Sequence, residues 1–173
     1  MGRGTSRTVR LLLAMLVATT GLLAAPPPRT EATPAAITRL AGPDRYATAA
    51  AISRSVAAPG VKVAFVATGL DFPDSLAGGP AAASRHAPIL LTAPRSIPQP
   101  TRDELARLKP GEIVILGGRS VVSDAVAEQL AAYTAGPVTR LAGADRYATA
   151  ALISARHFGA GVPVAYVDRP CIP

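Results

Sequence analysis

A triplet of Asp, Arg and Tyr, present twice in the chain shortly after a glycine, carries the side chains best suited to chemistry. The triplets are Asp44-Arg45-Tyr46 and Asp145-Arg146-Tyr147, and the glycines are Gly42 and Gly143. A carboxylate at a helix start accepts hydrogen bonds from free backbone N–H groups, so we interpret both Asp residues and both glycines as structural. A guanidinium can hold a phosphate or carboxylate through two hydrogen bonds, so both arginines are candidate ligand contacts, with an ion pair to an Asp as the alternative. The tyrosines are candidates for stacking on a sugar, with packing in the core or between modules as the favoured alternative.

Four more residues are candidate ligand contacts. Arg39 and Arg140 stand six residues before the arginines of the two triplets, and Arg119 and Ser120 follow a glycine pair that ends a strand pattern. Ligands of open parallel sheets gather beyond the carboxyl ends of the strands. We therefore expect Arg119 and Ser120 to contact a ligand, and we include the other two for their guanidinium groups.

Patterns for catalysis or metal binding are weak. Asp71 and Asp74 follow a predicted strand, where a metal could be held, but we favour capping of the loop and the next helix and assign Asp74 a structural role. Ser75 lacks the glycine-flanked turn of a hydrolase nucleophile, and His86 and His157 have no Cys or Glu at metal-ligand spacing. The sequence predicts no catalytic residue, no metal and no cofactor.

The elements that must position these side chains are repeated. Residues 38–50 and 139–151 are identical at twelve of thirteen positions, at an offset of 101 residues, and such self-similarity indicates repeated structural units. Short runs rich in Val, Ile and Leu predict strands buried on both faces. The predicted strands are 62–67, 89–92, 112–116 and 138–141. The predicted helices are 44–56, 73–84, 101–108 and 123–133.

Several predicted helices carry start signals. Pro73 suits a first helical turn, Thr101 with Glu104 has the spacing of a capping box, and Ser123 or Asp124 can cap the next helix. Alternating strands and helices predict an α/β fold, a parallel sheet with helices on both faces. We assign one complete repeat to residues 37–138 and the truncated start of a second to 139–173.

The N-terminal region predicts export. Three arginines precede an uncharged apolar run, the pattern of a signal peptide, which we assign to residues 1–25. Residues 26–36 contain four prolines and predict an extended spacer. The single cysteine, Cys171, excludes a disulfide within one chain.

The charge of the chain favours anionic partners. There are 18 Lys and Arg residues against 11 Asp and Glu, a net charge of +7. Removing the predicted signal peptide takes away three arginines and leaves 15 against 11, a net charge of +4. A basic excess attracts anionic polymers or headgroups, whereas the lack of a Lys/Arg cluster with interleaved aromatics argues against nucleic acid.

Four motifs, in the same order, resemble the cell wall binding repeat 2 family. They are residues 39–49, 67–77, 87–92 and 115–118, and the likeness extends over about 37–167. The resemblance implies α/β modules of Toprim-like character, three in tandem in a pseudo-threefold cluster, that bind anionic secondary wall polymers without covalent attachment. This chain departs from the three-module pattern, with one complete module and the start of another.

From the resemblance we expect a secreted, non-catalytic protein at the cell wall or cell surface. Its expected partner is an anionic cell-wall polysaccharide or teichoic-type polymer, bound non-covalently so that an exported protein is anchored. Self-association through repeat surfaces is a further expectation. Two alternatives stay open: a fragment of an amidase-type wall hydrolase, and a non-functional truncated product.

Overall fold

A parallel sheet of four strands lies at the centre of the structure. The computed structural model describes residues 36–163 and residue 165. The predicted signal peptide, the predicted spacer up to residue 35 and the last eight residues with Cys171 lie outside the described residues. Within the described residues, no helix is both long enough and apolar enough to cross a membrane.

Strands and helices alternate along the chain. The strands are β1 (Ala64–Thr68), β2 (Ile89–Thr92), β3 (Ile113–Leu116) and β4 (Val138–Leu141). The helices are α1 (Arg45–Val56), α2 (Pro73–Ser84), α3 (Gln99–Leu108), α4 (Asp124–Leu130), followed by the short 3-10 helix Ala131–Tyr133, and α5 (Arg146–His157). The strand order is β2-β1-β3-β4, and every neighbouring pair is parallel.

The core has two halves, one on each face of the sheet. Leu105 and Leu108 of α3, with Val126 and Leu130 of α4, pack on one face. On the other face, α2 contributes two alanines and α5 contributes Ile153. All residues of β1 and β3 are buried, as expected for central strands covered on both sides. The predicted α/β class, a parallel sheet with helices on both faces, is confirmed.

The predicted elements differ from the observed ones mainly at their ends. Strand β1 begins at Ala64 rather than at residue 62, and α3 begins at Gln99 rather than at residue 101. The predicted helix 123–133 consists of α4 and the short 3-10 helix, with Ser123 as N-cap. Helix α2 begins at Pro73, as predicted.

The predicted capping box of Thr101 and Glu104 is wrong. Helix α3 starts two residues earlier, with Pro98 at the N-cap, so Thr101 already lies inside the helix. Its hydroxyl donates to the carbonyl of Leu91 on β2 at 2.6 Å, and the Glu104 carboxylate is buried against arginines instead of reaching a helix start. Tertiary contacts, not the helix terminus, determine both side chains.

The two copies of the repeated stretch differ in how they join the sheet. In the second copy, residues 138–141 form β4 and pair with β3. In the first copy, the matching residues 37–40 form no strand, and Leu40 is 43% exposed. The fourth strand of this sheet therefore comes from the second copy.

Candidate functional site

The carboxyl ends of β1, β3 and β4 face one edge of the sheet, where the predicted site residues collect. Asp44 and Asp145 lie at the N-caps of α1 and α5, and each accepts a hydrogen bond from a backbone N–H three residues later at 2.7 Å. The backbone N–H of Gly143 donates to Thr149 Oγ1 at 2.9 Å, and Gly42 makes the matching bond. Both Asp residues thus have the geometry of helix caps.

The glycine before each cap has no room for a side chain. A Cβ on Gly42 would lie 2.5 Å from the Cβ of Ala47, and one on Gly143 would lie 2.4 Å from the Cβ of Ala148. Contacts this short between a loop and the first turn of a helix force the backbone to move. Both glycines therefore allow the loop to close onto the helix, a structural role.

Arg45 and Tyr46 contact the loop that follows β1. The guanidinium of Arg45 donates to the carbonyl of Gly69, and the Tyr46 ring lies so close to Gly69 that a Cβ there would be 2.6 Å from the ring. Tyr46 is therefore largely used for packing, whereas Arg45 keeps an exposed surface.

The matching residues of the second copy are more open. Arg146 Nη2 lies 3.9 Å from Asp71 Oδ2, and both side chains are at least half exposed. Tyr147 is 56% exposed. Ion pairs between exposed groups at this distance contribute little energy, so the Arg146 guanidinium stays accessible to a ligand.

The other predicted contacts have different settings. Arg140 is 20% exposed, donates to the carbonyl of Gly117 at 3.0 Å and pairs with Asp124 at 3.4 Å. Burial lowers the pKa of Arg140, the Asp124 charge opposes this, and Arg119 adds to the lowering. Arg119 is exposed and pairs with Asp124 at 2.9 Å. Arg140 thus links β4 to the loop that follows β3. This predicted contact residue therefore has a structural role.

Arg39 and Ser120 complete the predicted set. Arg39 is exposed, and within the described residues it makes no ion pair or side-chain hydrogen bond. Ser120 lines a cleft of about 190 Å³ together with Arg146 and three carboxylates. The structure therefore brings Ser120 and Arg146 together, while Arg39 is not among the residues that line the cleft.

The cleft at this edge carries more carboxylates than guanidinium groups. Asp71, Asp74 and Asp145 line it with a single guanidinium, that of Arg146. Burial raises the pKa of Asp74, the nearby Asp71 charge raises it further, and Arg146 acts in the opposite direction. Among the described residues no group of three or more His, Cys, Asp or Glu is arranged to hold a metal ion. The arrangement suits binding of a polar ligand that carries hydrogen-bond donors for the carboxylates and a negatively charged group for the guanidinium.

A second cleft of about 390 Å³ adjoins the first at Asp71. Arg45, Leu70, Phe72 and Ser75 are among its lining residues, and Phe72 is 67% exposed. An exposed aromatic ring beside a guanidinium and hydroxyls offers an apolar face and polar partners together. Sequence reasoning did not select Phe72 as a contact, although its place in a loop after a buried strand was a usable signal.

Sequence reasoning also missed a polar cluster away from this edge. Glu104 is fully buried and accepts hydrogen bonds from Ser53 at 2.6 Å, Arg54 at 3.0 Å and Arg107 at 2.6 Å. Arg107 also donates to the carbonyl of Ala57 at 2.8 Å. The cluster joins α1 to α3 and so positions Arg45 and Tyr46 at the other end of α1.

Comparison with known proteins identifies the family. Residues 39–127 match the family Cell wall binding domain 2 (CWB2). The chain is 29% identical over 118 residues to N-acetylmuramoyl-L-alanine amidase LytC of Bacillus subtilis (strain 168), covering 68% of this chain and 23% of LytC. It is 35% identical over 109 residues to the Amidase enhancer of the same organism, covering 63% of this chain and 15% of that protein.

Solved structures agree with the sequence matches. Cwp6 from Clostridium difficile superposes with a TM-score of 0.62 at 33% identity, covering 68% of this chain and 18% of Cwp6. Cwp8 from the same organism gives a TM-score of 0.60 at 33% identity, covering 66% of this chain and 20% of Cwp8. The chain spans less than a quarter of the length of each of these relatives. The family resemblance seen in the sequence motifs is confirmed: this chain belongs to the Cell wall binding domain 2 (CWB2) family.

Proposed function

We propose that this chain binds an anionic polymer of the bacterial cell wall non-covalently, at the edge formed by the carboxyl ends of its strands, and that it is not itself an enzyme. The observation that carries the proposal is membership of a cell wall binding family, combined with two adjoining clefts at this edge. The named relatives are an amidase and an amidase enhancer. In a longer protein the chain would anchor such an activity at the wall.

The chemistry of the edge favours a charged carbohydrate. The exposed ring of Phe72 offers an apolar face for a sugar, and the guanidinium groups of Arg45 and Arg146 lie in the two clefts that meet at Asp71. The carboxylates beside them accept hydrogen bonds from sugar hydroxyls. A polymer with spaced phosphates or carboxylates would place its charges at the arginines and its hydroxyls at the aspartates.

The first test uses purified walls before and after extraction of acidic polymers. We expect the chain to bind untreated walls, to bind stripped walls much more weakly, and to dissociate as salt rises, because salt screens exposed charges. Equal binding to stripped walls would contradict the anionic partner. Clearing of a wall-impregnated gel by the chain alone would contradict the non-catalytic proposal and favour the amidase alternative.

The second test locates the site. Phe72→Ala and Arg146→Gln should each lower affinity for untreated walls by about tenfold, the loss expected for one aromatic or charged contact of about 1.4 kcal/mol. Matched controls are Val56→Ala, an exposed apolar residue at the end of α1, and Arg156→Gln, an exposed arginine at the far end of α5. If the controls weaken binding as much as the test variants, the site is elsewhere.

A further inference from the structure

The last residue of α5, His157, has a buried imidazole without a polar partner. Its ring nitrogens Nδ1 and Nε2 are both buried, and among the described residues neither has a hydrogen-bond partner. The ring makes a T-shaped contact with the fully buried ring of Phe65 on β1, with 5.4 Å between the ring centroids and 67° between the ring planes. Buried polar groups in folded proteins are nearly always hydrogen-bonded, so an imidazole in this state is uncommon.

The end of this helix does not require a histidine. The matching residue of α1 is Val56, at the same offset of 101 residues that relates the two copies, and Val56 is 70% exposed. An apolar side chain is therefore compatible with the last position of the helix. The copy that places this position against the core carries the titratable group instead.

The charged groups around His157 come from three parts of the fold, and together they oppose its protonation. Arg85 follows α2, Arg156 precedes His157 on α5, and Glu112 precedes β3. Burial lowers the pKa of His157, the charges of Arg85 and Arg156 lower it further, and Glu112 acts in the opposite direction. The carboxylate of Glu112 accepts a hydrogen bond from Thr139 of β4 at 3.1 Å rather than one from the imidazole.

Two features favour the charged imidazole, and burial outweighs both. The last turn of a helix attracts cations, and an aromatic ring attracts a cation that lies over its face. A protonated imidazole would carry N–H donors on both nitrogens, with no acceptor for either in the described part of the chain and without the hydration that stabilises its charge. The charged ring is therefore better accommodated once the end of α5 has moved into water.

We propose that His157 is a pH switch: the neutral imidazole keeps α5 packed on β1 and α2, and protonation in mildly acidic solution releases this helix. Helix α5 is suited to such a release because it fully buries few residues, namely Thr149 and Ile153. Since α5 begins at Arg146, its release also removes that guanidinium from Asp71. The switch does not depend on wall binding.

The direction of the pH dependence follows from the lowered pKa of His157. Above the ordinary value of 6.5, the imidazole is neutral whether α5 is packed or released, so pH has no effect. Between that value and the lower pKa of the packed state, only the released helix takes up a proton, and release becomes easier as pH falls. From about pH 7.5 to about pH 5.5, the released fraction should rise by up to about tenfold, because the lower pH is about one unit below the ordinary pKa.

Hydrogen exchange of the full chain measures this release. Protection factors, which correct for the intrinsic effect of pH on exchange, should fall by up to about tenfold for the backbone amides of residues 150–157 between about pH 7.5 and about pH 5.5. In His157→Val, which carries the residue of the first copy, these protection factors should stay constant. The matched control is His86→Asn, which removes the chain's other histidine and should respond like the wild type. His86 is exposed and has a φ of 51°, a conformation that asparagine tolerates.

Three outcomes of this experiment overturn the proposal. The first is constant protection of residues 150–157 in the wild type, and the second is the same pH dependence in a folded His157→Val. The third is equal protection of residues 150–157 and of β1 at each pH, because α5 would then open only together with the whole fold.

A second measurement needs no change at His157. Titration of the imidazole proton signals by NMR gives the pKa of each histidine in the full chain, and His86→Asn shows which signal belongs to His86. We expect the signal of His157 to titrate below 6.5, the ordinary value for histidine. A pKa of His157 at or above 6.5 overturns the proposal, whether or not His157→Val folds.

Discussion

At the scale of residues, Glu104 is the side chain whose ionisation matters most for stability. Burial by itself raises the pKa of Glu104, but hydrogen bonds from Arg107 and Ser53, then the Arg107 charge and the Arg54 hydrogen bond, outweigh burial and hold the pKa below its ordinary value of 4.5. A buried carboxylate is tolerated only when such partners compensate for the lost hydration. Both arginines keep contact with solvent, 54% for Arg54 and 30% for Arg107.

Glu104→Gln tests this contribution. Because the folded-state pKa is depressed, the stabilisation is fully present above the ordinary pKa and is lost as pH falls through the folded-state value. We expect the variant to lose about 2 kcal/mol of unfolding free energy at pH 7, below the usual cost of breaking a buried pair because both arginines are partly hydrated. Urea unfolding measured from pH 7 down to pH 3 should show the gap between variant and wild type narrowing below about pH 4.5.

The matched control for Glu104→Gln is Glu128→Gln. Glu128 lies exposed on α4, so the same chemical change should leave unfolding free energy nearly constant across this range. A gap for Glu104→Gln that is as large at pH 3 as at pH 7 would show that shape, not charge, explains the loss.

At the scale of elements, helix α2 makes a close approach to the sheet at Gly78. Its sequence is rich in Ala and Gly, and Gly78 lies so close to Leu116 of β3 that an added Cβ would be 2.2 Å from the leucine Cδ1. Leu116 is fully buried, so it cannot move into solvent to make room. Gly79, the next residue, has nothing within 4 Å of an added Cβ.

Gly78→Ala and Gly79→Ala should therefore change the unfolding free energy in opposite directions. Alanine loses less backbone entropy on helix formation than glycine, so Gly79→Ala should add up to about 1 kcal/mol to the unfolding free energy. Gly78→Ala has the same entropic benefit but overpacks the core, which costs about 1–3 kcal/mol. We therefore expect this variant to have a lower unfolding free energy than the wild type. Chemical unfolding of the two variants measures both. Equal stabilisation would mean that α2 can move away from β3.

The elements were predictable from the sequence to a large extent, because hydrophobic runs and turn residues act locally. Strands β2 and β4 match their predicted ranges, and Pro73 starts α2 as expected. The Thr101 and Glu104 assignment failed because a capping box and a buried ion-pair cluster use the same residue types at the same spacing. Local sequence cannot separate them, since the deciding partners Ser53 and Arg54 lie about fifty residues away in the chain.

The site was predictable only in part. The Asp, Arg and Tyr triplets do lie at the carboxyl edge of the sheet, each at the start of a helix, although a strand precedes only the second triplet. Their individual settings could not be predicted, since Tyr46 packs on Gly69 while Tyr147 is exposed. Identical local sequences carry no information about which copy has a neighbour to pack against.

At the scale of the whole molecule, β4 is the least buried strand of the sheet, and α5 follows it. Every residue of β1 and β3 is buried, whereas every residue of β4 is only partly buried. Helix α5 fully buries only Thr149 and Ile153. Regions with few buried apolar contacts open at a lower free energy than the core, so this unit should open without global unfolding.

The variant Ile153→Ala, studied by hydrogen exchange, tests whether β4 and α5 open at a lower free energy than the core. Removing a buried isoleucine side chain down to the Cβ costs about 2–4 kcal/mol, and we expect the loss to fall on the unit that contains it. In the absence of denaturant, backbone amides of residues 138–141 and 149–157 should exchange faster in the variant than in the wild type. The amides of residues 64–68 should change little. Leu152→Ala, a half-exposed neighbour on the same helix, serves as the control and should leave both sets nearly unchanged. Equal acceleration of β1 and β4 would instead show that the two copies of the repeat unfold as one cooperative body, because loss of the α5 contact would then destabilise the entire sheet.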